Sequence, residues 1–282
     1  MAVSQNINKR QIDSSTTRPS LDAYRQLFGG IPANQNKPEA VLKNHFEGCV
    51  RRAAEQLQKH PFWIELKQEV ENWDASYRLL TPNVEALYSG SFEQQADLNC
   101  KKWESAFNKA YRKNVLKNKN WPNPPDEGFV TAESWFEKLG DILRTTLTSR
   151  YIDGVQFIAE RLVELAHKHG LNVNNQLQAT PEGYYAGHVD IEFDFVIEDL
   201  MRNDVTAKVS VEFQVTTQLK QVVKELLHVF YESDRLKTDV DKSSEVWQWD
   251  YRKPLFDANY LGHVVHYLEA QILKVREKNH GN

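Results

Sequence analysis

The segment Val209 to Thr217 reads Val-Ser-Val-Glu-Phe-Gln-Val-Thr-Thr, and its strict alternation narrows the possible folds more than any other stretch of the chain. Successive side chains of a β-strand point to opposite faces. Ser210, Glu212, Gln214 and Thr216 therefore share one face, and Val209, Val211, Phe213 and Val215 share the other. The pattern recurs upstream, with His188, Asp190, Glu192 and Asp194 set against Val189, Ile191, Phe193 and Phe195. Placed side by side, two such strands make a floor of carboxylates and one imidazole, the arrangement that hard cations and triphosphates require. The alternative is an open antiparallel sheet with its outer face in water. Solvent faces usually mix Thr, Lys and Arg. Acids at successive same-face positions repel unless a cation intervenes, which favours a site.

A chain of 282 residues with 40% hydrophobic content can bury a sizeable core, as one large domain or two small ones. It contains no apolar run of about 18 residues. The first twenty residues, MAVSQNINKRQIDSSTTRPS, lack an apolar signal segment, so the expectation is a cytoplasmic protein without membrane attachment. Cys49 and Cys100 have no neighbouring Cys or metal-spaced His, which indicates free thiols rather than a disulfide framework or zinc site.

The net charge of −4 argues against general coating of nucleic acid, yet one segment is strongly cationic. Lys101, Lys102, Lys109, Arg112, Lys113, Lys117 and Lys119 face a single acid, Glu104, with Trp103, Phe107, Tyr111 and Trp121 interleaved. Two readings stand: a phosphate-binding segment, or an amphipathic helix whose aromatic face is core and whose lysines are solvated.

Residues 1–37 are polar, carry Pro19, Gly29, Gly30 and Pro32, and read as a flexible arm that docks through Leu21, Tyr24, Leu27 and Phe28. Residues 38–104 read as a helical N-terminal region. Leu42, Phe46, Val50, Ala53 and Leu57 mark one helix, and Phe62, Leu66, Val70, Trp73, Tyr77 and Leu80 mark a second beyond His60-Pro61. Thr131 and Ser134 suggest a capped short helix through Lys138. Asp141 to Ser149 reads as a strand, and Ile158 to His169 as a helix ended by Gly170. The two polar-faced strands follow, then a helix through Leu219, Val222, Val223, Leu226 and Phe230, and a long one from Leu261 to Val275. The predicted class is α+β: a small mixed sheet flanked by helices, with helical N- and C-terminal extensions.

The polar landmarks of this core come in a definite order: Asp141 opening a strand, Gly183-Tyr184-Tyr185-Ala186-Gly187-His188 entering the next, and Glu212-Phe213-Gln214-Val215-Thr216-Thr217 ending the third. That order resembles the synthetase domain of the RelA/SpoT family, with its strand-opening Asp, its Gly-Tyr-x-x-x-His element and its Glu-x-Gln-x-Arg-Thr strand. The resemblance covers roughly residues 105–235, leaving 236–282 as a C-terminal helical extension. His228 sits where the family often has a histidine.

The resemblance implies a nucleotidyltransferase-type sheet and an ATP-dependent pyrophosphokinase, with Asp141 and Glu212 as catalytic carboxylates and ligands of Mg2+. It implies nucleotide binding by Arg112, Lys113, Arg144, Tyr184, His188 and Gln214, with Tyr184 stacking on the acceptor base and Glu212 polarising the attacking hydroxyl. The implied partners are ATP and a nucleotide acceptor, with the tRNA 3′ end as the acceptor of the family's toxin branch, and a homo-oligomer or a neutralising antitoxin. The chain departs from the pattern at Tyr185 and Thr216, where the family carries arginines, and at Glu182, where it carries Asn. Arg144 stands where the family usually has Gly and would supply one guanidinium, although regular strand alternation puts it opposite Asp141. The lost arginines also leave open a weakened, nucleotide-sensing module.

Overall fold

The computed structural model describes residues 18–81, 83–92, 95–235, 248, 251–252 and 254–278. Two long helices, α2 (Glu39–Lys59) and α3 (Pro61–Leu80), follow a short α1 (Leu21–Phe28). Strand β1 (Asp97–Cys100) leads into α4 (Trp103–Tyr111), which continues as a π-helical turn at Arg112–Leu116, and α5 is the single turn Trp135–Lys138. The core then runs β2 (Leu143–Ser149), α6 (Ile152–Lys168), β3 (Val173–Ala179), β4 (Tyr185–Glu198), β5 (Asp204–Thr217), α7 (Gln218–Arg235) and α8 (Pro254–Lys278).

The α+β class and the mixed sheet agree with the sequence expectation. The strand order is β1-β2-β5-β4-β3, with β2 and β5 parallel and the other pairs antiparallel. The parallel pair requires the α6 crossover. Strand β5, which carries Glu212, is central. Its register sets Glu212 beside Arg144 on one side and Asp190 on the other, and Gln214 beside Thr146 and His188.

The apolar face of the sheet is the core. Phe213 meets Phe62 and Trp63 of α3, while Phe193 meets Phe62 and His60. Helix α6 packs on the same face, with Val155 crowding the place a side chain at Gly187 would take. Its C-terminus follows the glycine rule, with Gly170 at φ +67°.

Several local expectations need correcting. The residues from Ser20 to Phe28 are not loose: Ser20 caps α1, and Tyr24 and Phe28 are buried against Phe107, with Phe28 also on Trp103. The docking through Tyr24 and Phe28 is as expected, and only the looseness is corrected, because two aromatics one helical turn apart suffice to dock a single helix; residues 1–17 lie outside the described part. The hydroxyl of Ser134 does not cap α5 but accepts a hydrogen bond from the Thr131 N–H. Strands β1 and β3 went unforeseen. The first is four residues long, and the second, Val-Asn-Asn-Gln-Leu-Gln-Ala, is an edge strand exposed at most of its positions, so neither shows hydrophobic alternation.

Candidate functional site

The polar face of the sheet gathers Arg144, Thr146 and Thr148 from β2, Glu212, Gln214 and Thr216 from β5, and His188, Asp190 and Glu192 from β4. Helices α2, α3 and α6 cover the other side; this one is partly roofed by α7, whose Lys224 donates from Nζ to Gln214 Oε1. The two alternating strands thus lie side by side, the arrangement their pattern allowed.

Four of the expected site residues form one connected chain. His188 Nδ1 lies 3.6 Å from Glu212 Oε2, and His188 Nε2 is 2.9 Å from the Tyr184 hydroxyl. Gln214 Nε2 donates to that same hydroxyl. The Tyr184 hydroxyl is therefore engaged by the sheet, which fixes the ring beside His188 at a centroid distance of 5.9 Å. Tyr185 has both ring faces occupied: His266 stacks at 3.8 Å and the Lys220 ammonium sits 5.5 Å from the centroid. It is a packing residue and replaces no phosphate-binding cation.

Asp141 does not begin the strand. It follows Gly140 in a left-handed turn at φ +48°, one residue from Ile142 and two from the first residue of β2. Such a conformation costs of order 1–3 kcal/mol for a non-glycine residue and persists only where its surroundings hold it. Two lysines do so. Lys101 and Lys109 each place Nζ 2.7 Å from an Asp141 carboxylate oxygen. Burial alone would raise the Asp141 carboxyl, but the two ammonium groups outweigh it and hold the group below its ordinary range. Burial also lowers the Lys101 ammonium, with Asp141 opposing, and the charge of Arg144 reaches Lys101 as well. Because Asp141 lies outside the strand, the alternation that set Arg144 opposite it does not apply; Arg144 stands beside Glu212.

The other basic candidates separate. Lys113 donates to the Lys138 carbonyl at 2.7 Å and so holds the approach to Gly140, Arg112 is half-buried at the start of the π-helical turn, and Lys117 and Lys119 are exposed. Trp103, Phe107 and Tyr111 are core, as the amphipathic reading has it. The side chain of His228 lies outside the described residues. His263 and His266 pair with Tyr185.

Asp190 is a functional candidate that the sequence motifs passed over. It faces Glu212 directly across the β4–β5 ladder. Burial and then the Glu212 charge push its carboxyl above the ordinary range, with His188 and Lys109 opposing. Its place in the acidic alternation was the available signal. Lys224 had none, since only the packing of α7 over the sheet brings it to Gln214. Among the described residues no group of three or more His, Cys, Asp or Glu side chains is arranged to hold a metal ion. The Asp190–Glu212 pair nevertheless offers hard oxygen donors whose repulsion His188 and Lys109 offset only in part, and Mg2+ needs only one or two carboxylates beside substrate phosphate oxygens.

The sign of a pH effect follows. The native Asp190 carboxyl titrates above its unfolded value, so between the two the native chain binds more protons and stability falls as pH rises through that window. Asp190→Asn is expected to remove that slope and raise the metal-free melting temperature at neutral pH by about 1–3 °C. Thermal unfolding followed by fluorescence at stepped pH checks this; an unchanged slope removes Asp190 from the account.

Beside Thr146 and Thr148 the polar face opens into a cavity of about 360 Å3 under α7, lined by Ser89, Gln95, Asn99 and Gln221 among others and by no Lys or Arg. A larger one, about 580 Å3, lies between α2 and the start of α4 and includes none of Glu212, His188 or Gln214.

No protein-family description matches the chain, and no curated protein matches it by sequence. Solved structures do. The small alarmone synthetase 1 from Bacillus subtilis is similar over 85% of this chain and 98% of its own, at 14% identity and a TM-score of 0.51. The same enzyme bound to its product pppGpp aligns at a TM-score of 0.49 and 14% identity over 83% of this chain and 96% of its own. A GTP pyrophosphokinase family protein from Streptococcus pneumoniae aligns at 0.47 and 15% identity over 80% and 94% of the two chains. The chain has the small alarmone synthetase fold.

Proposed function

We propose that this chain transfers the β,γ-pyrophosphate of ATP to the 3′-hydroxyl of a nucleotide, breaking the bond between the α- and β-phosphates and releasing AMP. The observation that carries the reading is Glu212: a carboxylate on the central strand, on the sheet's polar face, beside Arg144 and in a chain with His188, Tyr184 and Gln214. Phosphoryl transfer depends on in-line positioning and charge neutralisation, and each group has a place in that task. Lys101 and Lys109 turn from Asp141 to the triphosphate of ATP, and Arg144 adds a guanidinium next to Glu212. Glu212 takes up the proton of the attacking 3′-hydroxyl. The cation-free cavity beside Thr146 suits a nucleobase, which amides and hydroxyls bind through its edge. Glu212 and Asp190 would hold Mg2+, joined by Asp141 once its lysines move; the ion would neutralise the charge that develops on the phosphate oxygens.

The lysine assignment predicts a split. Lys101→Gln with Lys109→Gln is expected to raise the KM for ATP at least about tenfold while leaving the KM for the acceptor within about twofold. Equal effects on both substrates would count against a donor role. Magnesium has a readout without turnover: the ion is expected to raise the melting temperature of the wild type and to do so less for Asp190→Asn.

The decisive assay is incubation with radiolabelled ATP and separate acceptors GDP, GTP, ADP, ATP and deacylated tRNA, with chromatographic separation. A labelled nucleoside polyphosphate supports the reading. The exposed Lys117 and Lys119 favour a second one, transfer to an RNA 3′ end. Lys117→Glu with Lys119→Glu would then weaken RNA modification and its salt dependence while sparing ATP affinity. No transfer to any acceptor would point to a nucleotide-sensing module.

A further inference from the structure

The C-terminal helix makes an unusually close contact with the turn that precedes β4. Gly183 has φ +79°, and a Cβ there would overlap the Asn259 carbonyl oxygen, while a Cβ on Gly262 would overlap the carbonyl oxygen of Gly183. Backbone thus lies directly on backbone. One residue along, His263 uses both ring nitrogens on the same turn. Its Nε2 is 2.9 Å from the Pro181 carbonyl oxygen, and its Nδ1 is 2.8 Å from the Tyr185 hydroxyl. A carbonyl only accepts, so Nε2 carries a proton, and in the neutral ring Nδ1 then accepts from the Tyr185 hydroxyl. Stacking of His266 on Tyr185 at 3.8 Å, with planes 3° apart, completes the hold.

The two anchor points, Pro181 and Tyr185, flank Tyr184. That residue's hydroxyl sits between His188 and Gln214 and closes the chain leading to Glu212. We infer that His263 of α8 is a positioning residue of the site: through Pro181 and Tyr185 it fixes the Gly183 turn so that Tyr184 is held against His188 and Gln214. The C-terminal helix is then a working part of the site. Tyr185, one of the two positions at which the chain departs from the arginine pattern, serves as its attachment. The catalytic consequence rests on the pyrophosphokinase reading; the structural one does not.

Three variants divide the clamp. His263→Asn keeps an acceptor near the Nδ1 position for Tyr185, His263→Ala removes both bonds, and Tyr185→Phe removes only the hydroxyl. With ring-15N-labelled histidine and the His188 signal assigned from a His188→Gln variant, His263→Ala and Tyr185→Phe are expected to shift the His188 ring signals toward those of Tyr184→Phe, and His263→Asn to restore them in part. His188 signals identical to wild type in both His263→Ala and Tyr185→Phe overturn the inference, whether or not the protein turns over. In the transfer assay the same two variants are expected to raise the acceptor KM by about tenfold with the ATP KM unchanged. Parallel loss for both substrates, with no movement of the His188 signals, would mark a purely structural contact. A wild type inactive with every acceptor would refute the catalytic reading and leave the NMR result to decide the clamp.

Discussion

Glu212→Gln is expected to reduce pyrophosphate transfer by at least about a hundredfold while shifting the melting temperature by less than about 2 °C. The side chain is half-buried on the polar face, flanked by Arg144 and Asp190 along the sheet, and an isosteric amide keeps its volume and most of its hydrogen-bonding capacity. What the amide cannot do is take a proton from an attacking hydroxyl or balance a cation. Removing this charge also removes the second cause of the raised Asp190 carboxyl, while burial, the larger cause, stays, so the pH slope of stability should flatten in part, less than the complete loss expected of Asp190→Asn. Steady-state transfer with magnesium present, alongside thermal unfolding at stepped pH, tests both consequences. Near wild-type turnover in the variant would take Glu212 out of the chemistry.

One residue further, the expectation reverses. Phe213→Ala should cost about 3–5 kcal/mol in unfolding free energy, because a fully buried ring is lost and the surroundings collapse only in part. Phe213 is 0% exposed and packs against Phe62 at 5.7 Å and Trp63 at 6.0 Å between ring centroids. Those partners belong to α3, so the cavity would open at the seam between the sheet and the N-terminal helices. Urea unfolding monitored by tryptophan fluorescence should show a large fall in midpoint. A loss below about 1 kcal/mol would mean that the seam contributes little to stability. The pair Glu212 and Phe213 separates the two faces of one strand into chemistry and cohesion.

That separation was legible before any coordinates, since period-two alternation admits no other assignment of faces once a strand is accepted. The long helices were legible for the same reason: Leu42 to Leu57 and Phe62 to Leu80 repeat at helical spacing, and they form α2 and α3. Asp141 shows where local reasoning ends. Its neighbours Ile142 to Leu147 are rich in branched and β-forming residues, and extending that strand by two residues was natural. The left-handed turn at Gly140-Asp141 is held by Lys101 and Lys109, which lie far away in sequence. The placing of Arg144 opposite Asp141 held only for a regular strand through both, and β2 begins at Leu143.

The segment from Lys101 to Trp121 admitted two readings, of which the amphipathic one describes its aromatic face. Trp103, Phe107 and Tyr111 are core, while Lys101 and Lys109 reach the candidate site at Asp141. Periodicity reports which side of a helix is apolar. It says nothing of what stands opposite the other side.

The α+β class, the positions of the main helices, and the polar faces that group Glu212 with Gln214 and His188 with Asp190 are readable from the amino-acid sequence, because periodicity and alternation are local consequences of backbone geometry. Only the tertiary structure decided that β5 is central, that Asp190 opposes Glu212, that two lysines claim Asp141, and that α8 rests on Gly183 and ties Tyr185 to His263. These are pairings between residues distant in the chain. They are set by register, crossover and helix docking, and no local pattern of residue types encodes the partner.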